Sequence, residues 1–320
     1  MLFHEIHGMP PASEVPQVLA IGKFDGVHIG HQAILDAARR AAGMGERLAV
    51  LSFEPHPTYA LTRNPEYLRT LTPRAEKVRL LAELGVGAYY VAQFNRAFQS
   101  LTPDAFVHTY LPALGVRHVV VGDDFRFGQG GSGTTDVLRK LAQSLDIGVT
   151  VVPPVVESGH KVGSSQIRSH LAAGRVEAAE ALLGRPYALT GTVVHGDKRG
   201  RLIGFPTANL GGIDEYVMPA SGVYAVSVAL LDEGASSESM WFGVLNAGMR
   251  PTVEGTTFRL EVHLLGFSGD LYGRQCRVSF LRRIRDERKF AGLDELKAQI
   301  ARDCDVTRQL LGFSQKHVGE

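Results

Sequence analysis

The sequence predicts two globular units, an open parallel α/β sheet with helices on both faces and then an antiparallel β-barrel or sandwich with a terminal helix. Three observations carry this prediction. From Gln17 to about Gly184, short β-branched apolar runs alternate with stretches of helical period, the rhythm of repeated β-α-β units. After Pro186 that period largely disappears, and strand-like runs follow one another between Gly, Pro, Asp and Ser clusters. The length of 320 residues also exceeds the usual size of one domain.

Residues 18–21 read as the first strand and residues 31–38 as the helix after it; residues 48–53 and 76–83 repeat the pair. A strand at 88–91 follows, then a helix at 103–111 opened by Pro103, whose missing N–H costs nothing at a helix start. Strands at 118–122 and 149–152 complete the first half. Parallel strands require crossover helices, and ligands then bind beyond the carboxyl ends of the strands. In the second half, residues 188–194, 222–230, 240–245, 258–267 and 274–282 read as strands. Residues 293–311 restore helical spacing and are expected to pack across the barrel. The boundary falls in Leu183-Gly184-Arg185-Pro186, which divides the chain into 1–184 and 185–320 without a low-complexity linker or an internal repeat.

Composition narrows the function. With 44% apolar and 21% charged residues the chain is of ordinary globular type. A net charge of +1, from 34 basic and 33 acidic residues, provides no overall field to gather nucleic acid or a membrane surface. Cys276 and Cys304 form neither a disulfide framework nor a CxxC pair, which fits a reducing compartment. Residues 1–14 lack a basic n-region and an apolar h-region, and no apolar run reaches membrane-spanning length. A cytoplasmic protein with no nucleic-acid or membrane partner is expected; its oligomeric state is left open.

The most informative stretch is Ile21-Gly-Lys-Phe-Asp-Gly-Val-His-Ile-Gly-His31, where a strand ends, glycines allow a close turn and a helix begins. The first-turn amides of a helix are unpaired and its dipole end is positive, so an anion is welcome there. His28 and His31 are three residues apart, on one helical face, where both can donate to one phosphate chain. Such donors favour the charge that builds on an α-phosphate and a departing pyrophosphate during nucleotidyl transfer. Half of a zinc site is the competing reading, but no cysteine and no fitting third ligand lies nearby; incidental histidines in a glycine-rich turn are another. His28-Ile29-Gly30-His31 also spells a signature of class I aminoacyl-tRNA synthetases. No KMSKS-like lysine loop accompanies it, and a full barrel leaves no room for an anticodon-binding domain.

The run from Gly22 to His31 resembles the nucleotidyltransferase superfamily, and the motifs that follow are more particular. Phe53-Glu-Pro-His-Pro57, Val121-Gly-Asp-Asp-Phe-Arg-Phe-Gly128 and Ser164-Ser-Gln-Ile-Arg168 resemble successive motifs of the prokaryotic bifunctional riboflavin kinase/FAD synthetase family, and the match spans nearly the whole chain. The resemblance implies an α/β nucleotidyltransferase (Rossmann-like) domain that joins FMN to the AMP part of ATP and releases pyrophosphate. It implies Gly22, Phe24, Asp25, Gly26 and Gly30 as ATP contacts beside His28 and His31.

Ser164, Ser165 and Arg168 open a helix after the last predicted strand, so hydroxyls, free amides and a cation converge on a second anion-binding point for the β- and γ-phosphates. An ordinary serine cap with a surface arginine is the alternative. Here Gly163 and Ser165 stand where the family has a fuller Ser-Ser-Thr run, and two hydroxyls survive. His56, held between two prolines, suits a contact to ATP or the flavin phosphate, or is a loop histidine satisfied locally. Asp124 and Phe125 follow another strand; the family implies flavin contacts there, against the alternative of an aromatic core with a surface ion pair. Residues 129–133 carry no basic residue and receive no role.

The second half carries Gly191, Gly196, Gly200 and Gly204 around Lys198 and Arg199, a loop able to approach phosphates although it is not a Walker A sequence. Thr207 and Asn209 follow Pro206 two residues apart in extended chain, so they share a face and can complete the shell of a Mg2+ held by ATP phosphates. Arg259, Glu261 and His263 alternate with Leu260, Val262 and Leu264 and share the polar face of a strand. For Glu261 the default reading is solvent exposure. Residues 204–209, 246–252 and 261–263 together resemble the riboflavin kinase module, and this resemblance implies that Glu261 is the general base for the ribityl 5′-hydroxyl. Residues 282–290 are charge-rich and read as a solvated face, in a region where the family places flavin contacts.

The expected protein is a transferase of flavin cofactor biosynthesis, with riboflavin, FMN and ATP as substrates, Mg2+ as metal, and FMN and FAD as products. A single-function nucleotidyltransferase with an accessory barrel is one rival; a passive barrel has no use for Thr207, Asn209 and Glu261 together. A flavin carrier or sensor is the other, and it has no need of His28, His31 and Glu261.

Overall fold

The computed structural model describes residues 1–196, 200, 203–231, 239–252 and 255–312. The chain divides into two compact units, Met1–Ser164 and Ser165–Glu320.

The first unit is built on strands β1 (Leu2–Ile6), β2 (Gln17–Ile21), β3 (Arg47–Glu54), β4 (Ala88–Gln93), β5 (Val116–Gly122) and β6 (Gly148–Val152). Their order is β1-β4-β3-β2-β5-β6, and every neighbouring pair is parallel. Helices α1 (Ile29–Ala41), α2 (Pro57–Thr62), α3 (Arg74–Glu83), α4 (Arg96–Gln99), α5 (Pro103–Ala113) and α6 (Thr135–Gln143) connect them. The two-residue alternation of the central strands separates two apolar layers. Val18, Ala20 and Val50 pack with Leu35 and Ala38 of α1 and Leu80 and Leu81 of α3, whereas Leu19, Ile21 and Leu51 pack with Phe106 and Leu111 of α5 and Leu138 of α6.

This order decides where the site lies. From β2 the chain steps to β3 and β4 on one side, then returns to place β5 and β6 on the other, so the strand order reverses between β2 and β5. Loops leaving the carboxyl ends of those two strands diverge and open a crevice. Residues 22–28 and 123–127 are those loops. A short antiparallel pair, β7 (Val156–Glu157) and β8 (His160–Lys161), follows β6. Strand β1 is absent from the sequence prediction: it is a short edge strand in which polar His4 and Glu5 interrupt the apolar run, and its partner is remote, Leu2 lying opposite Ala88.

In the second unit β9 (Tyr187–Val194), β10 (Ala208–Gly211), β11 (Gly222–Leu231), β12 (Ser239–Thr252), β13 (Gly255–Leu264) and β14 (Gln275–Arg285) form a closed barrel in the order β10-β13-β12-β11-β14-β9, antiparallel throughout. Closure removes the exposed edges that a sandwich would keep. The expected strand at 240–245 extends as β12 through Thr252, because its second half pairs residue for residue with β13. Helices α7 (Ser164–Ala172) and α8 (Val176–Leu183) precede the barrel. The contact division at Ser164 falls earlier than the expected boundary at 184/185, since α8 buries Val176, Ala179, Leu182 and Leu183 and its Glu180 reaches Arg282 of β14 at 3.5 Å.

The terminal helix α9 (Leu293–Leu310) packs on β12 and β14. Its Asp303, 2% exposed, takes two contacts from Arg285 Nε at 3.0 and 3.1 Å, one from Nη2 at 2.7 Å and one from Gln299 Nε2 at 2.8 Å. The carboxylate is enclosed while 21% of the Arg285 side chain is exposed, so losing Asp303 removes several charge-assisted hydrogen bonds and leaves a half-buried cation without them. Asp303→Ala is expected to destabilise the barrel unit by about 3 kcal/mol, measured as the shift in its urea unfolding transition. Cys276 and Cys304 are free and buried, and burial pushes both thiols up to about 11. Among the described residues no helix is long and apolar enough to cross a membrane.

Candidate active sites

The loop leaving β2 is held by its own packing. Phe24, Gly26 and Val27 adopt φ of 49°, 91° and 41°, and the Phe24 and Val27 side chains are fully enclosed, so core packing offsets the cost of two non-glycine residues in the left-handed region. Asp25, 1% exposed, accepts the N–H groups of Leu71 at 2.7 Å and Thr72 at 3.4 Å through Oδ1. Gly26 N–H donates to Thr72 Oγ1 at 3.0 Å, and Ser164 Oγ donates to the Asp25 carbonyl at 2.8 Å. The side chains of Phe24, Asp25 and Ser164 therefore brace the loop from within. Thr72 was not legible as a partner because it lies on a connection 46 residues away. Buried Lys77 of α3, whose pKa is lowered by desolvation, sends its Nζ to the Lys23 carbonyl at 3.5 Å.

At the mouth of α1 His28 is the capping residue, and its Nδ1 accepts the N–H of His31 at 3.3 Å. A neutral ring accepting at Nδ1 carries its proton on Nε2. The two imidazoles stack with centroids 3.7 Å apart at 23°, and the Phe24 ring lies 4.8 Å from His31. A Cβ on Gly30 would sit 3.1 Å from His28 Nδ1, so glycine there lets the ring lie against the helix start; Gly22 is similarly close to the Phe24 ring at 3.3 Å. The structure thus brings the paired histidines together on a rigid support.

His56 leaves the end of β3 as the cap of α2, its Nδ1 accepting Thr58 N–H at 3.2 Å and its ring stacked 5.0 Å from Tyr67. Asp124 is exposed and forms an ion pair with Lys161 Nζ at 2.8 Å, which also contacts Asp123 at 3.0 Å. Phe125 is half-buried and stacks on core Phe127 at 5.5 Å. Lys161 carries no motif and was invisible to pattern reading. In α7 Ser165 is exposed, while Arg168 is 4% exposed and so is no surface arginine; both belong to the second unit by contacts.

In the barrel, strand register assembles a polar row. Asn209 of β10 lies opposite Glu261 of β13, and Glu261 lies opposite Asn246 of β12. All three are half-buried, on the face opposite buried Ala208, Leu210, Leu260, Val262, Leu245 and Ala247. His263 Nδ1 lies 2.8 Å from the Pro206 carbonyl, which ties the strand to the segment carrying Thr207. A Cβ on Gly196 would overlap the Asn209 amide, and one on Gly200 would overlap the Phe205 carbonyl and lie 3.4 Å from Thr207 Oγ1. The two glycines therefore bring backbone against the two oxygen-bearing side chains. Lys198 and Arg199 lie outside the described residues. Asn246 and Glu287, absent from the sequence-derived site, join the row through a 3.3 Å hydrogen bond from Asn246 Nδ2 to Glu287 Oε1.

The FAD synthetase family model matches residues 11–166, and the riboflavin kinase family model matches residues 183–311. The bifunctional riboflavin kinase/FMN adenylyltransferase of Bacillus subtilis is 40% identical over 303 residues, covering 93% of each chain. The Escherichia coli K12 protein of the same description is 42% identical over 317 residues, covering 98% of this chain and 99% of its own. The chain belongs to the bifunctional riboflavin kinase/FMN adenylyltransferase family.

A crystal structure from Streptococcus pneumoniae described as a macrolide-efflux protein shares the architecture of this riboflavin kinase/FMN adenylyltransferase family member, with a TM-score of 0.85 at 35% identity over 96% of this chain and 99% of its own. The two family models align with the two halves separated by the change of rhythm, and 167–182, between them, spans most of α7 and α8. Among the described residues no group of three or more His, Cys, Asp or Glu side chains could hold a metal ion.

Proposed function

We infer that the chain phosphorylates riboflavin to FMN with ATP in its barrel half and adenylylates FMN to FAD in its α/β half, releasing pyrophosphate. The register that sets Asn209 beside Glu261 carries the kinase reading. There Glu261 takes the proton of the ribityl 5′-hydroxyl as that oxygen bonds to the γ-phosphorus and ADP leaves. Thr207 and Asn209 would hold Mg2+, which when bound supplies charge neutralisation to the phosphates.

In the adenylyl-transfer half, an FMN phosphate oxygen bonds to the α-phosphorus of ATP as pyrophosphate leaves. The attacking phosphate is ionised near neutral pH, so alignment and charge stabilisation are the protein's tasks and no base is required. His28 and His31 donate to the phosphates at the mouth of α1, supported by the amides around Gly22, Gly26 and Gly30. Asp25, Phe24 and Ser164 hold that loop in shape. Ser165 and Arg168 hold the β- and γ-phosphates, and His56, Asp124 and Phe125 flank the flavin, which requires the Asp124–Lys161 pair to open. The functional halves are 1–184 and 185–320, and the enzyme works in the cytoplasm on riboflavin, FMN and ATP without a nucleic-acid or membrane partner. An efflux role is not adopted, because no helix among the described residues is long and apolar enough to cross a membrane.

Purified protein incubated with riboflavin, ATP and Mg2+ is expected to give FMN and then FAD on chromatography. FMN alone would retire the first site, and unconverted riboflavin would leave a flavin carrier.

A further inference from the structure

The kinase row ends on a second carboxylate whose place is built into the fold. Glu287 stands two residues beyond Arg285, the last residue of β14, whose guanidinium donates to Asp303 of α9, and Gln299 donates to that same carboxylate. Its Oε1 accepts the Asn246 amide nitrogen at 3.3 Å. The same carboxylate lies so close to the Gly248 backbone that a Cβ there would overlap it. Gly248 is buried in the middle of a paired strand at an unremarkable φ, so the feature that calls for glycine is the approach of Glu287.

Asn246 is the cross-strand partner of Glu261. Directly opposed residues place their Cβ atoms about 5 Å apart, within reach of each other's side chains. An asparagine amide turned the other way would donate to the Glu261 carboxylate and occupy an oxygen lone pair that a base needs for the substrate proton. The hydrogen bond to Glu287 commits one of the two N–H donors of the Asn246 amide and directs its C–N bond toward that carboxylate, with the carbonyl oxygen about 120° away across the amide carbon.

We propose that Glu287 is a positioning residue of riboflavin phosphorylation: it holds the Asn246 amide with its donor end turned from Glu261 and so keeps the base available to the 5′-hydroxyl. The proposal rests on Glu261 being that base. Glu287 touches neither substrate in this role; it acts through Asn246.

Steady-state riboflavin phosphorylation by the full chain tests it, with FMN-to-FAD conversion and thermal unfolding recorded for each variant. Glu287→Ala is expected to lower kcat by about tenfold to a hundredfold with KM for riboflavin changed by less than about threefold, the pattern of a misaligned reacting group rather than a lost binding contact. Glu287→Gln keeps an acceptor oxygen for the Asn246 amide and is expected to recover most of that loss. Gly248→Ala, which displaces the carboxylate without removing it, is expected to reproduce the kcat defect. Combining Glu287→Ala with Asn246→Ala is expected to cost no more than the more damaging single change, since both act through one amide. An unchanged kcat in Glu287→Ala, a Glu287→Gln variant as slow as Glu287→Ala, or additive losses in the double variant each overturn the proposal. Glu261→Ala run alongside separates the two readings. If it still phosphorylates riboflavin at the native rate, the base assignment fails; if it is inactive while Glu287→Ala is native-like, only the positioning role fails.

Discussion

Glu261→Ala is expected to lower riboflavin phosphorylation by about 10²- to 10⁴-fold, the usual contribution of a positioned general base. With FMN supplied, the same variant is expected to make FAD at the native rate, because no part of the α/β half contains the substituted residue. Chromatographic separation of flavins from parallel riboflavin-fed and FMN-fed reactions reads both outcomes at once. The base role is the one the family resemblance implies, and the strand geometry is compatible with it: Glu261 shares the half-buried face of β13 with Arg259 and His263 while Leu260, Val262 and Leu264 are buried, and its neighbours across the strands are Asn209 and Asn246. Loss of FAD formation from FMN as well would mean that Glu261 is needed for folding or for coupling between the activities, and the base assignment would fall.

The converse is expected of His31→Ala, with FAD formation reduced by about 10²- to 10³-fold, as for removal of one preorganised donor to a developing anion, and FMN formation unchanged. His31 is held from three directions: its N–H on His28 Nδ1, its ring stacked on the His28 ring at 3.7 Å, and Phe24 4.8 Å away. Such a donor is aligned before the substrate arrives and pays no reorganisation during the reaction. Because the substitution also removes ring packing, the variant's unfolding transition is the control. A native melting profile with native FAD formation would dismiss the paired-histidine site.

Much of this was legible in local sequence. The β-α-β rhythm and its replacement by strand runs after Pro186 gave the architecture, and the strand from Arg259 to Leu264 had its polar and apolar faces correctly separated. What escaped local reading was of one kind. Strand β1 was missed because its stability comes from pairing with β4, 86 residues away at Leu2 opposite Ala88, and no local signal marks an edge strand interrupted by charge. Asp25 was read as an ATP contact, and nothing in the local pattern marked that its Oδ1 also holds the N–H groups of residues 71 and 72. Arg168 looked like a surface residue in one of its two readings and is enclosed. Asn246 lay within a recognised motif without a role, and Glu287 lay in a segment that read as a solvated face in a region where the family places flavin contacts, with no role for any one residue.

By itself, the sequence determined most of the strands and helices, which residues of a strand share a face, and which stretches resemble the motifs of the family. These depend on the repeat of the backbone and on side-chain types a few residues apart, and such interactions are set locally. Tertiary structure alone decided the strand order that opens a crevice between β2 and β5, the register that lines Asn209, Glu261 and Asn246 in one row, and the seating of Glu287 against Gly248. Register is a collective choice made by packing segments far apart in the chain, and a slip of one residue reverses every face; no local pattern contains that information.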